Sequence, residues 1–366
     1  MPDIQQHRRD RLAAGLAARD ADAALITSGV NVRYLTGLAS SNAAVLVPAD
    51  GVAVLATDSR YALTAELQAP GTELVVTRAV AAGLAALAAE RGLRRLAFEA
   101  HEMTVEQRDE LAAIGGIGLR PLGRAVEELR IVKDPAELAL LGQACALTGQ
   151  AFDQVVPQIA AGVTERQLAT LIERAMIEAG ADKPAFDTIV ASGPNGAIPH
   201  HEPGGRAFVS GDLITIDCGA RVGGYHADMT RTVALGPPAG WQREVYELVA
   251  AAQRAGIAAA VPGAAAADVD AAARDVIEQA GYGEFFGHGL GHGVGLEIHE
   301  APALGPGQPG RLADRVPITV EPGVYLPGRG GVRIEDTLVV RSRTPAASRD
   351  LLTTTTSATG SELLVL

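Results

Sequence analysis

The chain has 366 residues, with 31 basic and 43 acidic side chains and a formal net charge of −12. Because 48% of the residues are hydrophobic and only 20% are charged, the composition excludes intrinsic disorder and fits about two globular domains. The acidic balance argues against nucleic acid and membranes as partners. Two cysteines, Cys145 and Cys218, are too few for a disulfide framework. We therefore expect free thiols, a cytoplasmic protein, and neither a secretory signal nor a transmembrane helix.

The first 126 residues alternate helical and extended patterns, which is typical of an α/β domain. The spacing of apolar residues predicts helices over 10–19 and 79–91. Short apolar runs predict strands over 23–27, 42–48, 52–57 and 95–98. A segment rich in glycine follows at 115–123. We place a domain boundary near residue 126, which gives domains 1–126 and 127–366.

The second domain opens with two long predicted helices, at about 135–157 and 164–180. Asp134 and Thr164 are the expected N-caps of these helices. Strands are predicted to dominate residues 188–233. A second helix pair is predicted at 241–260 and 267–280, followed by glycine-rich and β segments.

The acid excess lies almost wholly in the second domain. Residues 1–126 hold 13 basic and 14 acidic side chains, so nearly all of the surplus lies beyond them, together with six of the eight histidines. Surplus carboxylates usually form a solvated acidic face. The alternative is that some of these acids and histidines converge on cations.

The first of two acidic hairpins is predicted in residues 212–233. Asp217 lies in an apolar run, and Asp228 lies in the returning strand. If the turn is centred between Val222 and Gly223, the two carboxylates oppose each other, with Cβ atoms about 5 Å apart. Facing carboxylates in buried strands repel unless a proton or a cation joins them. Surface acids remain the alternative, although the apolar flanks disfavour it.

The same arrangement recurs over residues 318–340. Glu321 and Glu335 each interrupt an apolar run, and an odd-numbered loop centred on Gly328 places them opposite each other. One such hairpin is weak support for a binding site. Two hairpins that each present facing acids favour a cation site.

Glycines and histidines alternate between the two hairpins, at His288, His292 and His299. The glycines permit close backbone approach around each imidazole. Four carboxylates and one of these imidazoles would form a mostly oxygen site for two divalent ions. Such ligands suit Mn²⁺ or Co²⁺ better than a thiolate-bound structural Zn²⁺.

Several sequence motifs resemble those of the aminopeptidase P and prolidase branch of the dinuclear metallopeptidases with the pita-bread fold. These motifs are IDCGARVGGYHADMTRT, GHGLGHGVGLEIHE, TVEPGVY, GVRIEDT, RIVKDPAEL and FDTIVASGPNGAIPHH. The resemblance covers about residue 130 to the C-terminus, with a shorter, more charged segment than usual at 311–317. It implies an α+β fold, with a C-terminal pita-bread catalytic domain and a smaller N-terminal α/β domain of the creatinase-like type.

The resemblance also implies five metal ligands. Asp228 and Glu335 would bridge two metal ions, Asp217 would complete the shell of one, and His292 with Glu321 would complete the other. A hydroxide that bridges the ions would attack the peptide bond preceding proline.

Further roles follow from the same resemblance. Glu321 would carry the proton to the leaving nitrogen. The remaining implied site residues are His200 and His299 on the substrate or oxyanion, His288 and Phe186 at the proline pocket, and Arg333 as a donor to the metal carboxylates. We expect His201 and His226 to be exposed or structural. For Tyr225 and Tyr325, a role in packing and a role in lining the site are equally favoured.

The implied activity is a metal-dependent exopeptidase that hydrolyses the bond between an N-terminal residue and proline. Short proline-containing peptides would be its substrates, and a homodimer is implied. Mn²⁺ is the expected metal, with Co²⁺ or Zn²⁺ as alternatives. Whether the chain is an Xaa-Pro dipeptidase or an Xaa-Pro aminopeptidase stays open; Arg315 or Arg329 could read a dipeptide's carboxylate.

The sequence is compatible with four alternative functions. Two keep the fold and lose the activity: a non-catalytic scaffold and a metal-free, creatinase-like amidinohydrolase. Methionine aminopeptidase is less favoured, because its simple forms lack so large a front domain. A dinuclear phosphoesterase on another fold applies only if the resemblance is accidental.

Overall fold

A computed structural model describes residues 4–341, 350–356 and 360–366. The chain divides into two compact units, Met1–Arg130 and Ile131–Leu366. The expected boundary at residue 126 falls inside a helix, Ala125–Ile131. Most of this helix belongs to the first unit, because Arg130 at its end is buried and donates a hydrogen bond to the side chain of Asn31.

The first unit is built on one six-stranded sheet. Its strands are Ala23–Ile26 (β1), Ala43–Pro48 (β2), Val54–Thr57 (β3), Glu73–Val76 (β4), Arg95–Phe98 (β5) and Gly118–Pro121 (β6), in the order β4-β3-β2-β1-β5-β6. Its helices are Ile4–Ala14 (α1), Gly29–Thr36 (α2), Ala62–Gln68 (α3), Val80–Glu90 (α4), Val105–Ala112 (α5) and Ala125–Ile131 (α6), with a 3₁₀ turn at Ala17–Arg19. The apolar face of α4 packs on the sheet and fills the core of this unit.

The four predicted strands of this unit are present within two residues of the expected bounds. The first helix differs, because it begins six residues earlier than predicted and ends at Ala14. The apolar spacing does not reveal the start of this helix, because two of its buried residues are arginines. Arg8 stacks on the ring of Tyr34, and Arg9 donates to the carbonyl of Leu35, so both are buried despite their charge.

The helices of the second unit are Pro135–Val155 (α7), Glu165–Glu178 (α8), Gly240–Ala259 (α9) and Ala266–Gln279 (α10), with 3₁₀ turns at Val156–Gln158, Gly193–Ala197 and Gly283–Phe285. All four were predicted. Asp134 caps α7 by accepting hydrogen bonds from two backbone amides, and Glu137 completes its capping box. Thr164 caps α8 with the same motif, in which Gln167 is the returning side chain.

The strands of the second unit fall into four groups. A four-stranded sheet contains Ile189–Ser192 (β8), Leu213–Cys218 (β9), Met229–Ala234 (β12) and Leu364–Val365 (β20), and a three-stranded sheet contains Lys183–Pro184 (β7), Ala220–Val222 (β10) and Tyr225–His226 (β11). A five-stranded sheet contains Gly291–Gly293 (β13), Glu300–Leu304 (β14), Pro317–Val320 (β15), Asp336–Val339 (β18) and Asp350–Leu351 (β19). A two-stranded sheet contains Gly323–Leu326 (β16) and Gly330–Arg333 (β17).

The two helix pairs pack on different sheets. The pair α7 and α8 shares a core with β8, β9 and β12, whereas α9 and α10 share a core with β15 to β18. Cys145 and Cys218 are buried and free. Within the described residues, no helix has both the length and the hydropathy that a membrane crossing requires.

Candidate metal centre

The first acidic hairpin has a different register from the predicted one. Asp217 pairs with Thr230, so the prediction that it directly opposes Asp228 is wrong. The turn residues are Gly223 and Gly224, both with positive φ (55° and 87°). A two-residue hairpin turn of this type needs positive φ at both positions, which two glycines supply most readily.

The shift moves the partner of Asp217 by two residues. Because side chains alternate between the faces of a sheet, a shift of two leaves the original partner on the same face. Asp217 and Asp228 therefore still line one cavity, although they are not directly opposed.

The second hairpin has the predicted register. Val324 pairs with Val332 around the loop that contains Gly328, and Val320 pairs with Asp336 in the same register further out. Glu321 and Glu335 lie between these two ladders.

The ladder opens at the two glutamates because their amides bond elsewhere. The Glu321 N–H donates to the carbonyl of Leu290, and the Glu335 N–H donates to that of Thr230. The opening brings the second hairpin into hydrogen-bonding contact with the histidine segment and with the first hairpin.

The predicted site residues all line one cavity of about 1110 Å³. They are Phe186, His200, Asp217, Asp228, His288, His292, His299, Glu321, Arg333 and Glu335. The structure thus brings together all ten residues that were expected to bind metal or substrate or to act in catalysis, while the role of each residue stays a prediction.

Three of these side chains form a compact group of metal-type ligands. One ligand atom each from Asp228, His292 and Glu335 lies within 4.8 Å of the others. The Nε2 atom of His292 is 3.5 Å from Asp228 Oδ2 and 3.4 Å from Glu321 Oε1. The Nδ1 atom of His292 is 3.0 Å from the carbonyl of Gly293, and this contact orients Nε2 toward the carboxylates.

Burial raises the pKa of three carboxyl groups in the cluster. The pKa values of Asp228 and Glu335 lie well above the usual range, because burial and the neighbouring carboxylates both disfavour their charged forms. The pKa of Asp217 is raised mainly by burial, against the opposing effect of Arg333. A divalent cation would remove this penalty, since it neutralises the charges that the protein alone leaves uncompensated.

Glu321 and His292 behave in the opposite way. Burial alone would raise the pKa of Glu321, but the hydrogen bond and charge of His292 outweigh it and lower that pKa. Burial alone would lower the pKa of His292, and its interaction with Glu321 raises it instead. In the absence of metal, these shifts favour the ionised form of Glu321 beside His292.

Donors reach only one oxygen of each of two buried acids. Arg333 donates to Asp217 Oδ2 at 2.8 Å, and Thr230 donates to Glu335 Oε2 at 2.7 Å. Within the described part of the chain, Asp217 Oδ1 and Glu335 Oε1 are buried without a hydrogen-bond partner. Since buried polar atoms are nearly always paired, these two oxygens fit a metal ligand set.

The remaining histidines lie around this cluster. His299 meets His292 edge to face, with 4.4 Å between the ring centroids. His288 Nε2 lies 2.9 Å from the hydroxyl of Tyr325, which also accepts a hydrogen bond from Arg333. Burial lowers the pKa of both His288 and His299, which favours their neutral forms.

The structure adds two residues to the predicted site and leaves two candidate arginines outside the cavity. The roles of Thr230 and Tyr325 as hydrogen-bond partners were not predicted, because their contacts depend on pairing between distant strands. Arg315 and Arg329 are not among the described residues that line the cavity. Arg329 instead stacks on the ring of Trp241. His226 is buried and lies against the carbonyl of Gly295, as expected for a structural residue.

Comparison with known proteins agrees with this geometry. Residues 139–342 match metallopeptidase family M24, and residues 8–132 match the creatinase/prolidase N-terminal domain. The chain is 39% identical to the uncharacterized peptidase YqhT of Bacillus subtilis over 321 residues, which is 87% of this chain and 91% of the relative. It is 44% identical to an Xaa-Pro dipeptidase of Pyrococcus furiosus over 215 residues, which is 59% of this chain and 62% of the relative.

Solved structures show the same fold. An Xaa-Pro dipeptidase from Bacillus anthracis aligns with a TM-score of 0.94 at 34% identity, covering 99% of this chain and 100% of that one. An X-Pro aminopeptidase from Thermotoga maritima aligns with a TM-score of 0.86 at 33% identity, covering 96% and 100%. These similarities confirm the expected α+β architecture, with a creatinase-like N-terminal domain before the catalytic-type domain. The chain therefore belongs to metallopeptidase family M24.

Proposed function

We propose that this chain is a metal-dependent exopeptidase that hydrolyses the peptide bond between an N-terminal residue and proline. The observation that carries the proposal is the group of four carboxylates, three of them buried, and one imidazole in a single cavity. Two of the carboxylate oxygens have no hydrogen-bond partner among the described residues. Relatives of similar sequence and fold are named Xaa-Pro dipeptidases, which supports the choice of substrate.

The proposed ligands are Asp217, Asp228, His292, Glu321 and Glu335. When bound, two divalent ions supply Lewis-acid activation of water and of the scissile carbonyl. The oxygen-rich ligand set supports Mn²⁺, with Co²⁺ or Zn²⁺ as alternatives.

The other side chains handle protons and substrate. Glu321 accepts a proton from the attacking water at its carboxylate and delivers it to the leaving nitrogen. His200 and His299 donate hydrogen bonds to the substrate carbonyl as it gains charge. His288 and Phe186 line the pocket for the proline ring.

Arg333 holds the cluster in place in this scheme. It is 3% exposed and donates to Asp217, Thr230 and Tyr325. Its guanidinium therefore orients Asp217 rather than binding the substrate. The proposal further includes a homodimer and a cytoplasmic location, the latter supported by two buried free thiols.

The test is hydrolysis of Xaa-Pro dipeptides and Xaa-Pro-Xaa tripeptides by the Mn²⁺-loaded chain, with the metal-stripped chain as control. We expect release of proline from the dipeptides, or of the N-terminal residue from the tripeptides, only when metal is present. No release from either class by a chain with bound metal would contradict the proposal. The relative rates on the two classes separate a dipeptidase from an aminopeptidase.

A further inference from the structure

One wall of the cavity is made of irregular backbone. It begins after the 3₁₀ turn Gly193–Ala197 and continues to residue 206 without helix or strand. Five consecutive residues of this wall, 199–203, line the cavity, and one of them is His200. No strand ladder or helix fixes the backbone here, so the position of His200 depends on other contacts.

A single buried carboxylate bonds both to residues that lead into this wall and to the wall itself. Glu165 Oε1 accepts hydrogen bonds from the Ser192 N–H at 2.9 Å, the Ser192 hydroxyl at 2.7 Å and the Asn195 amide at 2.9 Å. Glu165 Oε2 accepts from His201 Nε2 at 2.8 Å and from the Gly204 N–H at 3.1 Å. Five donors thus converge on one side chain that is 0% exposed.

The backbone of the same helix end adds two more bonds. The N–H groups of Glu165 and Arg166 donate to the carbonyls of Arg206 and Gly204, each at 3.1 Å. The first N–H groups of a helix have no partner inside the helix, and here the cavity wall satisfies them. Helix α8 therefore holds the wall through its side chain and its backbone together.

Glu165 is ionised in this setting. Burial would raise its pKa, but the hydrogen bonds from Asn195, His201 and Ser192 outweigh burial and lower that pKa. Because a carboxylate only accepts hydrogen bonds, His201 must donate through Nε2. His201 lines the cavity, but its Nε2–H already donates to Glu165 and is therefore not free to donate to a substrate.

We propose that Glu165 is a positioning residue, which sets the place of His200 in the cavity by holding the segment 193–206 through Ser192, His201 and Gly204. The inference rests on the proposed function, since His200 is taken there to contact the substrate. A glutamine at position 165 keeps the shape but offers one acceptor oxygen and an NH₂ group that faces donors. It cannot accept all five hydrogen bonds.

The first experiment compares Glu165→Gln with Glu99→Gln. Glu99 is also 0% exposed and accepts hydrogen bonds from two backbone amides and from Asn31, but it does not line the cavity. We expect Glu165→Gln to lower kcat/KM on an Xaa-Pro dipeptide at least about tenfold. Glu99→Gln should stay within about twofold of the wild type, since it touches no cavity residue. Equal losses in both variants would overturn the inference.

A double-mutant cycle asks whether the loss acts through His200. If it does, His200→Ala should cost much less in the Glu165→Gln background than in the wild type, because His200 is already displaced. A role for Glu165 in general stability alone predicts losses that multiply, and that result would overturn the inference.

A measurement that does not depend on activity tests the positioning role of Glu165 separately from the proposed peptidase function. Hydrogen exchange is measured on the wild type and on Glu165→Gln. Peptides covering 193–206 should exchange faster in Glu165→Gln than in the wild type, whereas peptides covering α9 and α10 should exchange at the same rate in both. Unchanged exchange in 193–206 would contradict the positioning role, whatever peptides the chain cleaves. A wild type that cleaves no Xaa-Pro peptide contradicts the proposed function only.

His201 offers a second route if Glu165→Gln fails to fold. His201→Gln keeps a donor that can reach Glu165, whereas His201→Leu removes it. We expect the leucine variant to exchange faster over 193–206 and to lose kcat/KM, and the glutamine variant to regain most of both. Equal behaviour of the two variants would overturn the inference.

Discussion

Glu165 and Glu335 are both buried glutamates of the same unit, but their carboxylates meet opposite surroundings. Five donors surround Glu165 and lower its pKa. Glu335 accepts a hydrogen bond from Thr230 at one oxygen, while its other oxygen is buried without a partner among the described residues. Its pKa is raised well above the usual range by burial and by neighbouring carboxylates.

The difference separates two uses of a buried acid. A carboxylate that the protein itself satisfies works as an anchor, and removing it releases the donors around it. A carboxylate that the protein leaves unsatisfied is costly unless a cation arrives, so it marks a binding site. The four predictions below test this distinction.

The largest effect is expected from Asp228→Asn and Glu335→Gln, which each remove charge from the unsatisfied group. We expect turnover on an Xaa-Pro dipeptide to fall by more than about 100-fold, since even outer hydrogen-bond partners of metal ligands are worth 10–100-fold. Elemental analysis should show fewer bound ions per chain. Glu99→Gln serves as the matched control, and this variant should bind as many ions per chain as the wild type. Near-normal turnover in both acid variants would refute the assignment.

Lys133→Met tests an acid that the chain satisfies with its own cation. Lys133 Nζ lies 2.8 Å from Glu300 Oε1, and their side chains are 1% and 6% exposed. Removing the ammonium leaves a buried carboxylate without this partner, which should lower the free energy of unfolding by about 3–5 kcal/mol. Chemical denaturation measures this change.

The exposed pair Arg174 and Glu178 is the control for that variant. Arg174→Ala should leave the denaturation midpoint unchanged, because solvent screens the pair. A midpoint shift as large as that of Lys133→Met would show that burial does not distinguish the two pairs.

Thr230→Val removes the hydrogen bond that orients Glu335. We expect metal affinity to fall by about 10–100-fold, measured by titration calorimetry, while the fold is kept. Thr170→Val is a suitable control, since Thr170 bonds to a carbonyl of its own helix. Unchanged metal affinity in Thr230→Val would mean that the ligand set does not depend on this contact.

The last prediction concerns the pH dependence of metal binding, which changes affinity only gradually with each step in pH. Because the raised pKa values of Asp228 and Glu335 keep protons on the metal-free group, metal binding must release protons. Affinity should therefore rise as pH rises, by up to about tenfold per pH unit for each proton released. Calorimetry in buffers of different ionisation enthalpy measures the release. Affinity independent of pH between 5 and 8 would contradict the raised pKa values.

Much of the site could be predicted because its residues lie in short segments whose pattern of acids, histidines and turn glycines is visible in the sequence. The register of the second hairpin followed from an odd loop around Gly328, and the acids at 321 and 335 then faced each other by symmetry. The first hairpin failed because Gly223 and Gly224, rather than Val222 and Gly223, supply the positive φ angles of its turn. Asp217 and Asp228 share a cavity although they are not directly opposed, since a shift of two residues keeps a side chain on the same face of the sheet.

The anchor could not be predicted in the same way. Glu165 reads as an acid in the first turn of a helix, a position that usually needs no further explanation. Its five donors come from residues 27 to 39 positions away, and their convergence depends on how an irregular segment folds back. The short helices α2, α3 and α5 were also missed, since helices of seven or eight residues leave little periodicity to read.

The most direct test of the account is proline release from an Xaa-Pro dipeptide, measured on one preparation before and after metal removal, with bound ions counted by elemental analysis. We predict turnover with about two divalent ions per chain, no turnover after chelation, and recovery when Mn²⁺ is added back. A chain that holds its ions and releases no proline, or one that releases proline equally well without them, would contradict the account.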